Sequence, residues 1–427
     1  MQRVLVLATT GRQLMPCHPA RARALLRKGR AKVARRFPFT IQLKDRETGV
    51  CQPLELKLDP GSRTTGLALS LEGKRGRRIV FAANIAHRGL AIREALTTRR
   101  AIRRSRRNRH TRYRAPRFDN RRRPQGWLPP SLLSRVENVF NWAKKLQRFS
   151  PIRAIAIETV RFDTQKLVNP EVSGVEYQQG ELLGYELREY LLEKWQRACA
   201  YCGKKDLPLE VEHIVPSSRG GSNRVSNLTL ACRPCNQKKA SRSVETFVKD
   251  KSKLTRILSF AKAPLKDAAA VNATRFAIAE RLAKLALPLS LWSGGRTKHN
   301  RMRQDYAKDH WIDAACVGES GTKVYIPPKL KPLKVQATGR GSRQQCLMDR
   351  YGFPRTGPKA QKRVHGFQTG DIVHAVVNQG KKKGKYSGRL AVRSTGNFNI
   401  KTGTETIQGI RYKDCRILQR FDGYMYA

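Results

Sequence analysis

Acidic residues are scarce in this chain. Against 87 Lys and Arg there are 32 Asp and Glu, a formal net charge of +55 over 427 residues. Such an imbalance implies a polyanionic partner. Long apolar runs are also missing. No stretch of 18 apolar residues occurs, and the opening MQRVLVLATTGRQ lacks the apolar core of a secretory signal. Membrane attachment and secretion are therefore not expected. Paired cysteines are the third absence: Cys17, Cys51, Cys316, Cys346 and Cys415 are scattered without pairing spacing. That suits a reducing cytoplasm. Charge alone fits a ribosomal or chromatin protein equally well and does not decide function. The length allows several domains and a sizeable core.

The other four cysteines form two Cys-x2-Cys pairs, Cys199/Cys202 and Cys232/Cys235, bracketing Glu212-His213. Four thiolates at that spacing suit a closed tetrahedral Zn²⁺ site. A closed site has no open coordination position, so this zinc is expected to hold the fold. The chemistry falls to what it positions. Asn236 directly follows the last cysteine, and Asn227 lies in the run SNLTLAC between the pairs. The plainer alternative is a zinc ribbon with an incidental histidine. Three polar residues in register with the cysteines weigh against it.

Residues 1–50 read as a small βαβ-like unit. RVLVLA is a strand, a helix follows with Pro19 in its first turn and Gly29 at its C′ position, and AKVARR and FTIQLK are strands. In LELKLDPGSRTTGLALSL, Leu54, Leu56 and Leu58 alternate with Glu55, Lys57 and Asp59, the pattern of a half-buried strand. Asp59 ends it before a Pro-Gly turn. TGLALSL and GRRIVFAANI are the next two strands. From Arg99 to Arg123, thirteen of twenty-five residues are arginine and Asp119 is the only acid. Arg99, Arg100, Arg103, Arg104, Arg106, Arg107, Arg109 and Arg112 line more than one helical face. A helix so cationic needs phosphates on its flanks, and the guanidinium fork suits them. A disordered basic tail fits less well, because the segment is internal and flanked by structured patterns.

Residues 131–149 form an amphipathic helix with Leu132, Val136, Val139, Phe140 and Leu146 near one face. IRAIAIETV is a buried strand leading to Glu158. Residues 165–190 are polar and Gly-containing, the pattern of a connection, and 237–248 complete a helix and lead out. Residues 265–287 are strongly helical. PLSLWSGGRTKHNR reads as a strand and a basic Gly-rich turn. In DHWIDAACVGES, His310 and Asp313 are three apart and share a helical face. KVYIPP is a strand. From Pro327 the chain is basic and irregular. Residues 364–427 hold short Gly-punctuated strands, the last being DGYMYA, which suggest a small β-barrel or curved sheet. Lys381, Lys382, Lys383 and Lys385 crowd one hairpin turn, a candidate nucleic-acid contact with a solvated loop as its alternative. Converging, Asp59, Glu158, His310 and Asp313 would make a carboxylate-rich site for two Mg²⁺ ions acting on a phosphodiester.

The segment Cys199–Asn236 resembles the ββα-metal site of HNH nucleases. The resemblance implies His213 as general base, Glu212 and Asn236 as Mg²⁺ ligands, and Asn227 orienting the histidine. Many members carry Asp where this chain has Glu212. The strand ending in Asp59 resembles the first motif of RuvC-type RNase H-like nucleases. Asp59, Glu158 and His310/Asp313 stand in RuvC order, with the HNH unit between the second and third. From end to end the chain resembles the IscB family, compact transposon-associated RNA-guided DNA nucleases. The match rests on LMPCHPARARALLRKGRAKVARRFPFTIQL, LDPGSRTTGLAL, the arginine-rich helix, IAIETVRFD, the HNH segment, LKDAAAVNATRFA, SGGRTKHNR, HWIDAACVG and GFQTGDIVHAVV. Where the family has Pro-Leu-Met-Pro, this chain has Gln13-Leu14-Met15-Pro16.

The resemblance implies an α/β multidomain protein. A split RNase H-like (RuvC) mixed sheet would carry an inserted ββα-metal HNH domain, an arginine-rich bridge helix, a small N-terminal α/β domain and a C-terminal β-rich domain. The expected divisions are 1–52 for the N-terminal domain, 53–97, 126–165 and 249–326 for the RuvC segments, and 98–125 for the bridge helix. Residues 166–248 would hold the connection and HNH domain, 327–363 a basic linker, and 364–427 the C-terminal domain that contacts RNA and a target-adjacent motif. The implied cofactors are catalytic Mg²⁺ at both nuclease sites and structural Zn²⁺. The implied partners are a structured omega-type guide RNA and target double-stranded DNA. The protein would be monomeric within its ribonucleoprotein, in a prokaryotic cytoplasm and acting at the nucleoid. HNH would cut the guide-paired strand and RuvC the displaced strand. Two alternatives stay open: a guide-free HNH or RuvC-type nuclease, and a non-catalytic RNA-binding assembly protein. The intact candidate residues argue against the latter.

Overall fold

The computed structural model describes residues 2–73, 76–108, 126–159, 183–205, 207–261, 266–339, 346–351, 353–357 and 361–426. Arg109 and Arg112 lie outside the described residues, as does most of the polar connection expected over 165–190.

The N-terminal unit comprises β1 (Val4–Leu7), β2 (Gln13–Cys17), α1 (Pro19–Arg27), β3 (Ala31–Arg35) and β4 (Thr40–Leu43), in sheet order β2-β1-β4-β3. His18 caps α1 by accepting from the Ala20 amide, and Gly29 at φ +68° turns the chain out of the helix. β2 is a strand beyond those expected.

The main body follows. Its first part is β5 (Leu54–Pro60), β6 (Thr64–Gly73), β7 (Gly76–Ala86), α2 (Gly89–Asn108), α3 (Pro130–Phe149) and β8 (Ile152–Glu158). Then come α4 (Leu183–Lys194), β9 (Leu209–His213), β10 (Leu228–Cys232), α5 (Arg233–Lys239), α6 (Val244–Phe247) and α7 (Lys251–Ala261). The chain returns through α8 (Lys266–Ala283), β11 (Leu289–Trp292), α9 (Gly294–Arg303), α10 (His310–Ala315), β12 (Val324–Tyr325) and β13 (Leu333–Ala337). The C-terminal part holds β14 (Arg363–Val364), β15 (Phe367–Gln368), β16 (Ile372–Val377), β17 (Gly384–Ala391), β18 (Asn397–Lys401), β19 (Thr406–Arg411), β20 (Cys415–Gln419) and β21 (Tyr424–Tyr426).

A mixed sheet organises the body, in the order β11-β8-β5-β6-β7-β13-β21, with β12 also paired to β7. β5, β6 and β7 form an antiparallel meander; β8 runs parallel to β5 and β11 parallel to β8. Leu58 pairs with Ile157, so Asp59 and Glu158 stand side by side at the ends of neighbouring strands.

The alternation in β5 suggested one wet face, but both faces are buried. Leu54, Leu56 and Leu58 pack with Val136, Val139, Trp142 and Leu146 of α3 and with Ile278 and Leu282 of α8. On the other face α10 covers the sheet, with Trp311, Ala314 and Ala315 against Ala68, Ile79 and Ala82. Lys57 (0 % exposed) and Asp59 (8 %) are thus interior groups.

Several other expectations need correction. α2 starts at Gly89 and not at residue 98, and buries no side chain. On α3, Leu132 and Phe140 lie at the edge, half-buried, while Arg135, Trp142, Ala143 and Phe149 are buried. The Gly-rich stretch after β11 is helical because Ser293 caps it and its Thr297 and Asn300 are buried. Leu183–Lys194, expected within a connection, is a helix followed by Trp195. Tyr190, Leu191 and Trp195 join a second core with Leu209, Leu228, Leu230, Ile257, Ala261 and Val271. The inserted module therefore extends past residue 248. α8 spans both cores, with Val271 in one and Ile278 and Leu282 in the other. β13, expected in an irregular linker, is a strand of the central sheet.

The C-terminal five-stranded sheet is antiparallel, in the order β19-β18-β17-β16-β20. The chain's last strand leaves it. β21 pairs with β13 on the central sheet, Tyr424 packs edge-on to Trp142 at 5.9 Å, and Tyr426 stacks on Phe37 at 4.8 Å. Asp422 accepts from Lys145 Nζ at 2.8 Å and also pairs with Arg35. Among the described residues no helix is long and apolar enough to cross a membrane. Replacing Tyr424 by Ala is expected to lower unfolding stability by about 3 kcal/mol, as removal of a buried aromatic does. Urea unfolding measures this; an unchanged midpoint would mean that β21 does not close the core.

Candidate active sites

The four cysteine sulfurs 199, 202, 232 and 235 lie within 4.8 Å of one another. Cys202 Sγ and Cys232 Sγ are 3.8 Å apart. A tetrahedron with Zn–S bonds of about 2.3 Å has edges of about 3.8 Å, so the quartet fits a structural zinc. Burial raises the Cys199 thiol, but hydrogen bonds from the backbone of Cys202, Cys232 and Tyr201 outweigh it and bring the group down to about 7.

The quartet joins the knuckle at 199–202 to the start of α5. Between them β9 and β10 form an antiparallel pair with His213 opposite Leu228. His213 is half-buried, and its Nε2 is bonded to Asn223 Oδ1 at 2.8 Å. The bonds of Asn227, expected to orient the histidine, go to the backbone beyond it. Its Oδ1 accepts from the Val215 amide at 2.9 Å, and its Nδ2 donates to the carbonyls of Val215 (3.0 Å) and Ser222 (2.9 Å). Asn227 therefore holds the loop that leaves His213, and Asn223 holds the imidazole.

Glu212 is 6 % exposed. One oxygen accepts from Lys239 Nζ at 2.6 Å and the other from the Tyr201 hydroxyl. Lys239 is fully buried and also donates to the His213 carbonyl at 2.8 Å. A carboxylate on the covered face of β9 needs such a counter-charge. Burial first, and Glu212 second, push the Tyr201 hydroxyl well up, so it stays a donor. Asn236 Nδ2 donates to Glu210 Oε2 at 2.8 Å. Glu210, Glu212 and Asn236 supply only oxygen ligands, a donor set suited to Mg²⁺, with Lys239 as Glu212's standing counter-ion. Glu210, Lys239, Tyr201 and Asn223 were not anticipated. Two signals were available: Glu210 is two residues before Glu212 on a strand, and Lys239 is three after Asn236 on a helix.

A second cluster lies on the central sheet. Asp59 from β5, Glu158 from β8, and His310 and Asp313 from α10 come close enough for their charges to act on one another. His310 Nδ1 is bonded to Asp59 Oδ2 at 2.8 Å across 251 residues of chain. Asp313 is paired with Arg301 Nε at 2.8 Å and lies 3.9 Å from Lys308 Nζ. Burial, then the charges of Asp59 and Asp313, push the Glu158 carboxyl well above its usual range; a hydrogen bond from Thr297 and the charge of Lys308 oppose the shift. Burial also raises Asp313, with Asp59 adding to it and Lys308 and Arg301 opposing. Among the described residues only the cysteine quartet has all its ligand atoms within 4.8 Å, so these carboxylates are more widely spaced. An all-oxygen set of this kind suits hard cations such as Mg²⁺.

Close backbone approach brings this cluster together. A Cβ on Gly66 would stand 1.8 Å from the His310 carbonyl oxygen, so only glycine lets α10 lie against β6. Arg135, 2 % exposed, donates to the carbonyls of Pro60 (2.6 Å) and Ala270 (3.1 Å) and holds the turn after Asp59. His87 lies in the same buried network, bonded to Thr65 Oγ1 at 2.7 Å, and burial holds it down to about 3, an uncharged imidazole at neutral pH.

The basic candidates lie on the surface. On α2, Arg100, Arg103, Arg104 and Arg107 are exposed and Arg99 and Arg106 half-buried. Lys381, Lys382 and Lys383 are exposed between β16 and β17, where Lys382 Nζ donates to the Gln408 carbonyl at 2.7 Å.

Comparison with known proteins gives two family matches. The family described as RRXRR protein matches residues 4–180, and HNH endonuclease matches residues 199–242; each covers less than half of the chain. The first pattern is literal in Arg103-Arg104-Ser105-Arg106-Arg107. The chain therefore carries an HNH endonuclease module, and with it the hydrolytic chemistry of a nuclease. No curated protein matches the chain. Similar solved structures include the Type II-C Cas9 enzyme from Actinomyces naeslundii, at 16 % identity over 45 % of this chain and 32 % of that one, with a TM-score of 0.16. Streptococcus thermophilus Cas9 in complex with the AGGA PAM gives 15 % identity, 62 % and 32 % coverage, and a TM-score of 0.24. The chain spans about a third of the length of these proteins, and overlaps this weak carry no part of the argument below.

Cys232→Ser is expected to drop bound zinc from one ion per chain toward none and to slow the cut made by the HNH module, although the metal is not catalytic. Elemental analysis and a strand-resolved cleavage assay read the two effects. Full zinc content in this variant would contradict the four-thiolate site.

Proposed function

We propose that the protein is an RNA-guided double-stranded DNA endonuclease of the IscB type, with two hydrolytic centres on separate modules. The observation that supports this reading is the proximity of Asp59, Glu158, His310 and Asp313, drawn from three distant segments to one end of the central sheet. A lone HNH nuclease needs no such cluster. A non-catalytic assembly protein would have no use for buried, mutually repelling carboxylates.

At the HNH centre His213 is the general base. Its ring, held by Asn223, takes a proton from the attacking water. Asn227 sets the path of the loop beyond it. Glu212 and Asn236, with Glu210 beside them, would hold Mg²⁺. At the sheet centre Asp59, Glu158 and Asp313 would do so, with His310 fixing the Asp59 carboxylate. Bound Mg²⁺ supplies charge stabilisation and water activation at both centres. The HNH centre cuts the guide-paired strand and the sheet centre the displaced strand.

Arginine-rich α2, with Arg109 and Arg112 following it in sequence, contacts phosphates of the guide RNA and reads A-form shape. The C-terminal sheet, with Lys381, Lys382 and Lys383 at one rim, contacts the RNA or the duplex beside the target. The proposed division of the chain keeps the expected plan, with the HNH unit widened to take in α4 and α7, whose residues share its core, and the central sheet widened by β13 and β21. The net charge of +55 is compatible with a monomer wrapped by two nucleic acids.

The testing experiment uses the ribonucleoprotein with its copurifying RNA, sequenced to define a matching duplex. Asp59→Ala should abolish cutting of the displaced strand and leave the guide-paired cut. His213→Ala should do the reverse, with a loss of about 10²–10⁴-fold in the guide-paired cut. Cutting of both strands by Asp59→Ala would refute the assignment of the sheet centre, and cutting without RNA would favour a guide-free nuclease. Replacing Arg100, Arg103, Arg104 and Arg107 by Gln should weaken RNA binding and flatten its dependence on log salt by about 0.7–0.9 for each phosphate no longer neutralised. A constant slope would place that helix off the phosphates.

A further inference from the structure

A fully buried lysine stands in the middle of the central sheet. Lys57 is 0 % exposed. Its neighbours Leu56 and Leu58 supply the apolar packing of β5 on the opposite face, so the core does not need an amine here. Burying one unpaired is costly. The Lys57 Nζ donates to the carbonyls of Ala315 at 3.2 Å and Val317 at 3.0 Å, and lies 4.0 Å from Glu55 Oε2. Asn300 of α9, 2 % exposed, donates to the two interleaved carbonyls, Cys316 at 2.9 Å and Gly318 at 2.8 Å. Four successive carbonyls at the end of α10 are thus held from below by Lys57 and from the side by Asn300.

The other end of α10 is held from the same strand face. Asp59, two residues beyond Lys57 and on the same side of β5, is bonded to His310, the first residue of the helix. α10 has six residues, a length of about 9 Å. Lys57 and Asp59 are about 7 Å apart along the strand. So short a helix has little stability of its own, and its register on the sheet follows from these two attachments. Asp313 lies between them. A cation at the C-terminal carbonyls also suits the helix dipole.

We infer that Lys57 is a positioning residue for the sheet centre, fixing the register of α10 so that Asp313 and His310 meet Asp59 and Glu158. The inference rests on the two-centre reading above, and the experiment separates the two. Displaced-strand and guide-paired cutting are followed in one sample of the ribonucleoprotein over a Mg²⁺ series, with Asp59→Ala as reference. Lys57→Met keeps the stem and volume but removes donors and charge; Lys57→Gln retains a donor.

Lys57→Met is expected to slow displaced-strand cutting about 100-fold, the scale of an ångström misplacement. Lys57→Gln should fall between it and the parent. The guide-paired cut and DNA affinity should be unchanged, and amide exchange at residues 310–317 should speed up in Lys57→Met. Parental displaced-strand cutting in Lys57→Met overturns the inference. So does a Met variant faster than the Gln variant, which marks mere space filling, and so does loss of both cuts, which marks a general folding role. If Asp59→Ala still cuts the displaced strand, the two-centre reading falls and takes the inference with it.

Discussion

Like charges drawn together out of water are the constraint on which the rest of this molecule depends. Asp59, Glu158 and Asp313 come from three distant segments; burial, with the charge of Asp59 adding to it, raises the proton affinity of Glu158 and Asp313, and Asp313 raises that of Glu158 further. The surroundings hold them there against that repulsion. β5 and β8 pair in parallel and bring two of the acids to adjacent strand ends. Gly66 lets α10 lie on β6. Arg301 and Lys308 offset part of the charge at Asp313, and His310 ties Asp59 to the helix. The sheet order, the helix covering it and the choice of glycine at one position all serve that single arrangement.

The HNH module handles the same difficulty on a smaller scale. Glu212 lies on a covered face and is matched by a wholly buried lysine and a tyrosine hydroxyl. Four sulfurs at zinc-binding distances hold the short strands and helix on which His213 and Asn236 stand. The module has its own core, yet that core reaches Val271 on α8, whose far half belongs to the central sheet. The two cores are distinct and share one helix.

Much of this was legible in the sequence because it was local. The cysteine spacing, the strand before Asp59, the strand ending in Glu158 and the three-residue step from His310 to Asp313 each state a position on an element. What was not legible depends on who covers whom. Lys57 reads as the polar side of a half-wet strand until α10 is laid over it. Glu212 reads as a free ligand until Lys239 is brought beneath it. Asn227 reads as a partner of the histidine through the resemblance to HNH nucleases; here the ring is bonded to Asn223, and Asn227 binds the loop backbone. The helix after Ser293 was hidden by two glycines, and the last strand, DGYMYA, was legible as a strand while its partner was not, because nothing in it says that β13 supplies its edge.

The central claim is that the carboxylates on the sheet form a site for two cations. It is tested most directly by anomalous diffraction from crystals of the ribonucleoprotein soaked in Mn²⁺. Two peaks about 3.5–4 Å apart, ligated by Asp59, Glu158 and Asp313, are predicted. Carboxylates without metal peaks, and Asp313 still paired with Arg301 at saturating Mn²⁺, would contradict it.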